Sequence, residues 1–394
     1  MVHVRRAGMG NTKHLYFADN LKIALTILVI AHHVGQAYGP TGGASAIQDE
    51  ARAAVLGPFF TVNRSFFMSL FFMISGYFMV MSYDRHGPWR FVLSRLVRLG
   101  IPLLVFFLLV IPGWQYLCHL GIEHISSLSF WDYYTHVYFG IGGRPADWTG
   151  AMWPEMNFAH LWYVEHLLIA SLCYALLRIV WKRPQKADHA EPKLFRTWMV
   201  VVFALGLALA SAIVRIWYPI DRWIGFLGFI QVAFADVPRD LSFFILGAIA
   251  YRRRWFLELP ARTGYAWLTV GLIAAALWYA YAMGLRHVLG LSRTTMGIVY
   301  PVWEAFLCCG MCIGLLVLFR ERLDFQGRWG KVMAQGQYGA YLFHMPVVIL
   351  AQYMIIGAAL PPFTKFIIAT TASVPLTFLL VHGLRKPALV RKVL

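Results

Sequence analysis

Apolar runs recur from one end of the chain to the other, separated by short stretches where Arg, Lys, Pro and Gly gather. A helix of about 20 apolar residues spans roughly 30 Å of hydrocarbon, so the pattern predicts membrane crossings rather than a soluble core. About ten spans are expected, at 21–38, 59–82, 96–117, 159–181, 198–217, 229–251, 265–284, 296–319, 336–357 and 363–384. The fold class that follows is all-α, a polytopic transmembrane helical bundle, read as one domain over 1–394. The sixth span holds Asp236, Pro238, Arg239 and Asp240. It can therefore break, since irregular backbone at membrane depth is tolerated where protein or water covers it. Arg5, Arg6 and Lys13 precede the first run as in a secretory leader, but a continuous bundle needs this first helix, and it is expected to be retained.

Composition sharpens this picture. Apolar residues make up 59% of the 394 and charged residues 13%, outside the range of soluble globular domains. The net charge of +17 lies in short clusters between spans, which is the pattern of membrane topology and excludes a nucleic-acid module. Most of the 35 Lys and Arg fall at the two ends and in alternate loops, including 85–98, 178–196, 252–254, 320–331 and 385–392. Positive residues are retained in the cytoplasm, so both termini are expected there. The loop 115–158 on the other side is long and rich in Trp, Tyr and Gly; a lid or acceptor-binding surface is the expected use. Five cysteines are too few for a disulfide framework. Cys309 and Cys312 have Cys-x-x-Cys spacing but no second ligand pair nearby, so no metal site is expected.

Ionisable side chains inside spans each cost about 2.5–3.5 kcal/mol to insert, which makes them functional candidates. In the first span Lys22, Thr26, His33 and Gln36 fall within about 80° of one another at 100° per residue, with Asp19 just beyond. That polar stripe must face the bundle interior, and His33 lies about 16 Å along the helix from Lys22. Arg95 and Arg98 sit three residues apart at the start of the third span, with Arg90 a turn earlier. Two guanidiniums can grip phosphate, although topology anchors are the blander reading. Glu304 and His344 lie within later spans, His344 on one face with Gln337 and Tyr341, while His160, Glu165 and His166 open the fourth. Ser75 lacks the Gly-x-Ser-x-Gly elbow of a nucleophile. Intramembrane His, Glu and Arg would equally line the pathway of a transporter or channel for an anionic or lipidic solute, though no inverted repeat supports that class.

Seven stretches in order, "FADNLKIALTILVIAHH", "FFMISGYFM", "SRLVRLGIP", "HLWYVEHLL", "LSFFILGAIAY", "WEAF" and "GAYLFHMP", resemble the acyltransferase 3 family of integral membrane O-acyltransferases. The resemblance covers most of the chain. It implies that His33 matches the family's first-helix histidine, fourteen residues after Asp19, with His32 the neighbour and not the match. It also implies donor binding by Arg95 and Arg98, and matches Glu304 to an acidic residue and His344 to a catalytic-region histidine. Lys22 stands where Arg is usual and lacks the planar fork. The implied site is therefore His33, Glu304 and His344 for catalysis, with Arg95, Arg98, Arg90 and Lys22 for acyl-CoA. Asp19, Tyr341 and His160 support it. The implied co-substrate is acetyl-CoA or succinyl-CoA, with no tightly bound cofactor. Implied partners are membrane lipids and a glycan, lipid or small-molecule hydroxyl acceptor; a homo-oligomer is left open.

Overall fold

In a computed structural model, the residues described are 14–40, 45–121, 127–150, 152–181, 196–226 and 229–394. Arg5, Arg6, Lys13 and Glu123, together with the basic residues between Lys182 and Lys193, lie outside them. The chain is helical almost throughout. Its helices are α1 (Tyr16–Gly35), α2 (Leu56–Arg64), α3 (Phe67–His86), α4 (Pro88–Leu120), α5 (Trp162–Val180) and α6 (Thr197–Trp217). After a hairpin of β1 (Ile224–Phe226) and β2 (Ile230–Val232) come α7 (Val237–Arg252) and α8 (Ala261–Ala280). The chain then runs through α9 (Arg293–Arg322), α10 (Arg328–Ile355), α11 (Pro362–Leu384) and α12 (Ala388–Val393).

Among the described residues, nine helical stretches are long and apolar enough to cross a membrane, α2 and α3 counting as one. Helix α7, with 16 residues, is shorter than these nine and packs along α3, and here the expectation needs correcting. The span predicted at 229–251 starts as a hairpin strand, passes through a 3-10 turn at Phe234–Asp236, and becomes a helix only at Val237. Pro238 explains the start, since proline fits the first helical turn, where its missing N–H costs nothing. The third span begins earlier than predicted for a related reason, with Pro88 opening the helix after Gly87 at φ 76°. With α7 counted beside the nine, an even number of crossings returns the start of α1 and the end of α11 to one face, called the inner face below.

Helix α1 is the hub, packing on α3, α9, α10 and α11. Its first turn is tied to the α9–α10 connection: Phe17 N–H donates to Asp324 at 3.1 Å and Asn20 donates to the Leu323 and Phe325 carbonyls. The first contact satisfies an amide that a helix start leaves without a partner, and the others satisfy carbonyls just past the end of α9. Its last turn is held by Gln352 of α10, which donates to the carbonyls of His33 and Val34 at 3.2 and 3.0 Å. Helices α3 and α7 lie backbone to backbone. A Cβ on Gly76 would strike the Phe244 carbonyl, and one on Gly247 the Met73 carbonyl, which is how small residues drive helix association where lipid offers no hydrophobic gain.

The outer loop folds over the far end of α4. Tyr138 and Tyr134 donate to the carbonyls of Phe107 and Leu108, while Tyr133 donates to Glu155 at 2.6 Å. Burial, followed by the charge and hydrogen bond of Glu155, pushes the Tyr133 phenol well above its ordinary pKa. Near the start of α11, Lys365 forms a buried ion pair with Asp49 at 2.6 Å, fastening the first outer loop.

Candidate active site

A helix interior in lipid satisfies its own backbone, so a polar side chain there must find a partner on a neighbouring helix. The stripe Gln337, Tyr341, His344 and Gln352 does this along α10. Gln337 donates to Thr26 of α1 at 3.0 Å, and Tyr341 donates to the His160 carbonyl at 2.9 Å. Three imidazoles then meet. The His344 ring is 5.1 Å from that of His33 and 4.8 Å from that of His160, centroid to centroid.

Each ring is held by one nitrogen. His344 Nδ1 donates to the Tyr341 carbonyl at 2.7 Å, and His160 Nε2 to the Leu342 carbonyl at 2.8 Å. His33 Nδ1 donates to Gln36 Oε1 at 3.0 Å. An oxygen acceptor fixes the tautomer and leaves the other nitrogen as a lone pair. Those of His344 (Nε2) and His160 (Nδ1) are buried without a partner. Such a cluster presents proton acceptors and invites a ligand hydroxyl. His32, by contrast, turns into the rings of Phe59, Phe60 and Phe67. Among the described residues no group of three or more His, Cys, Asp or Glu is arranged to hold a metal ion.

Toward the inner face, aromatic hydroxyls connect this cluster to the arginines. The Tyr341 ring is 5.6 Å from that of Tyr163, whose hydroxyl is 2.6 Å from Ser75 Oγ. Tyr163 and Arg98 are in turn the electrostatic neighbours of Arg95. Tyr338, whose hydroxyl is buried and unpartnered, lies within electrostatic reach of Arg98 and Tyr163. Arg95 stacks over Phe91 at 4.9 Å with its Nε buried and unpartnered. Arg98 sits in a π-helical turn, Leu96–Gly100, and is exposed, as is Arg90. Lys22 is paired with Asp19 at 2.8 Å, and His14 closes on the same carboxylate at 2.6 Å.

Glu304, which the resemblance groups with His33 and His344, is engaged by arginines: its Oε1 accepts from Arg239 at 2.7 Å and its Oε2 lies 2.7 Å from Arg215. Around these, Arg239 donates to Asp240 and Ser69, Asp236 pairs with Arg64 at 3.0 Å, and Arg64 also meets the exposed Asp221. The carboxylate was available to the sequence, but the guanidiniums that claim it come from two other helices, α6 and α7. Arg64 and Arg215 lie near helix ends, where a basic residue reads as an anchor. Tyr163 and Tyr338 were missed because aromatic residues are common throughout this chain; the signal available was a phenol inside an apolar span.

Comparison with known proteins agrees with this architecture. A family model described as an acyltransferase domain, that of the acyltransferase 3 family, matches residues 15–382. "Glucans biosynthesis protein C" of Escherichia coli O139:H28 is 24% identical over 351 residues, covering 85% of this chain and 82% of the relative. The protein of the same name from Escherichia coli K12 is 25% identical over 348 residues with the same coverage. No solved structure matches. The chain belongs to the acyltransferase 3 family and is a multi-pass membrane acyltransferase.

Proposed function

We propose that this protein, in a bacterial cytoplasmic membrane, moves an acetyl or succinyl group from cytoplasmic acyl-CoA to a hydroxyl of a glycan on the other side. The observation that carries the reading is the line of polar groups from Arg95 and Arg98 through Tyr163 and Tyr341 to three imidazoles, two of which bury a ring nitrogen without a partner. The names of the relatives favour a glucan-like acceptor. The phosphates of CoA bind the guanidiniums at the inner mouth, and the pantetheine arm extends past the tyrosines so that the thioester meets His33.

The acceptor hydroxyl oxygen then attacks the thioester carbonyl carbon while His33 Nε2 takes its proton. The C–S bond breaks, and the imidazolium returns the proton to the departing thiolate, giving CoA thiol and the ester. Gln36 holds Nδ1 and so keeps Nε2 the basic nitrogen. His344 and His160 receive the hydroxyl by hydrogen bonding. Glu304, engaged by two arginines, takes no proton in this scheme.

The test is transfer by purified protein from labelled acyl-CoA to glucan. The wild type should release CoA thiol in step with acyl-glucan. His33→Ala should bind donor normally yet lose transfer by about 100-fold or more, the usual weight of a general base. Normal transfer by that variant would remove His33 from the mechanism, and movement of solute without thioester consumption would point to transport.

A further inference from the structure

The inner mouth contains more cations than the helix that carries Arg95 and Arg98. Helix α12 packs on the π-helical turn Leu96–Gly100, with Val390 and Leu394 joining the hydrophobic core. This docking keeps Arg391 exposed, and Arg385, at the end of α11, lies within electrostatic reach of both Arg391 and Arg98. Burial, with Arg391 and Arg98 as further contributors, holds the Arg385 guanidinium below its ordinary pKa. The Nε of Arg385 is buried without a partner, as is that of Arg95. Among the described residues, no ion pair to a carboxylate neutralises Arg98, Arg385 or Arg391.

Crowded like charges with orphaned donors are costly unless an anion joins them. A topology anchor needs no such convergence, since positive residues retained on one side can spread along the surface. Here an apolar foot, Val390 and Leu394, fixes where the guanidiniums stand.

We infer that the segment Arg385–Leu394 is part of the donor site, its Arg385 and Arg391 closing with Arg98 around the phosphates of the nucleotide end of acyl-CoA. The inference rests on the acyl-CoA reading of the site and adds to it residues from the far end of the chain. A phosphate in this place could also be that of an anionic lipid, so the shared chemistry is clustered phosphate, and the experiment separates the two sources.

Binding of CoA would be measured by calorimetry on the full protein, first in neutral detergent and then in nanodiscs of zwitterionic or phosphatidylglycerol-rich lipid. Arg385→Gln and Arg391→Gln should each weaken CoA binding about tenfold, as loss of a charge-assisted phosphate contact does, and should flatten its salt dependence. Arg385→Lys should recover part of the loss, which guards against a folding artefact, and Arg262→Gln, at an exposed position at the start of α8, should change nothing.

If Arg98→Gln weakens CoA while Arg385→Gln and Arg391→Gln do not, the C-terminal segment is no part of the donor site and the inference is overturned with the donor reading intact. Wild type that does not bind CoA at all overturns both. Variants that bind CoA normally in detergent but lose the preference for phosphatidylglycerol would make the cluster a lipid anchor, again overturning the inference.

Discussion

Arg239 is the best place to test how the bundle is held. It is 2% exposed, with Nη1 2.7 Å from Glu304, Nε 3.2 Å from Asp240 and Nη2 3.4 Å from Asp236. Replacing it with Met preserves much of the volume but leaves Asp236 and Glu304 to Arg64 and Arg215, and the buried Asp240 to the Ser69 hydroxyl alone. Removing one member of a buried pair costs about 3–5 kcal/mol, because the remaining charge stays desolvated. Native stabilities are about 5–15 kcal/mol in total, so this is a large fraction. Glu304→Gln added to Arg239→Met removes one surplus negative charge; the coupling between contacting residues is about 0.5–3 kcal/mol, and the double variant should recover that much. The assay is the monodisperse fraction in detergent after heating, compared across the wild type, two single variants and the double. An Arg239→Met protein that survives heating like the wild type would refute the argument, as would a double variant whose loss is the plain sum of the singles. Glu304→Gln alone should also reduce transfer far less than His33→Ala does; equal losses would return Glu304 to the chemistry.

Three other perturbations follow from the packing. Gly247→Leu forces a side chain into the Met73 backbone and should cost at least about 1–3 kcal/mol, read as lost thermal stability in detergent. Lys365→Met leaves Asp49 buried alone and should cost about 3–5 kcal/mol, with Asp49→Asn restoring part of it in the same measurement. Tyr133→Phe removes a donor from Glu155 and should loosen the outer loop by about 1–3 kcal/mol, seen as faster protease cleavage within 127–150.

Much of the candidate site could be read from the chain because lipid makes polar residues conspicuous. His33, His344 and Tyr341 stood out against apolar helices, and the 100° periodicity placed Gln337, Tyr341 and His344 on one face, which is where the structure has them. Periodicity says nothing about which helices adjoin. Glu304 was therefore grouped with the histidines by the resemblance, while the contacts the structure gives it are with Arg215 and Arg239. His160 was read as supporting because it lies at the start of its helix, yet its ring touches His344. The fold was legible to within a turn at most helix ends and failed at 229–236, where apolar residues form a hairpin strand and a 3-10 turn. Hydropathy alone cannot tell those residues from a helix. Arg385 and Arg391 read as end-of-chain positive charge, and their neighbourhood with Arg98 depends on a contact between segments nearly 300 residues apart.

The brevity of α7 bears on the membrane itself. Its 16 residues rise about 24 Å, some 6 Å short of a typical hydrocarbon layer. The shortfall falls on the side away from the termini, where Asp236 and Arg239 take the place of another apolar turn. A hydrocarbon layer meets so short a helix by thinning beside it or by letting flanking polar side chains reach the headgroups. Where it thins, a polar molecule at that end of the bundle has less oil to cross than the bilayer's nominal thickness suggests.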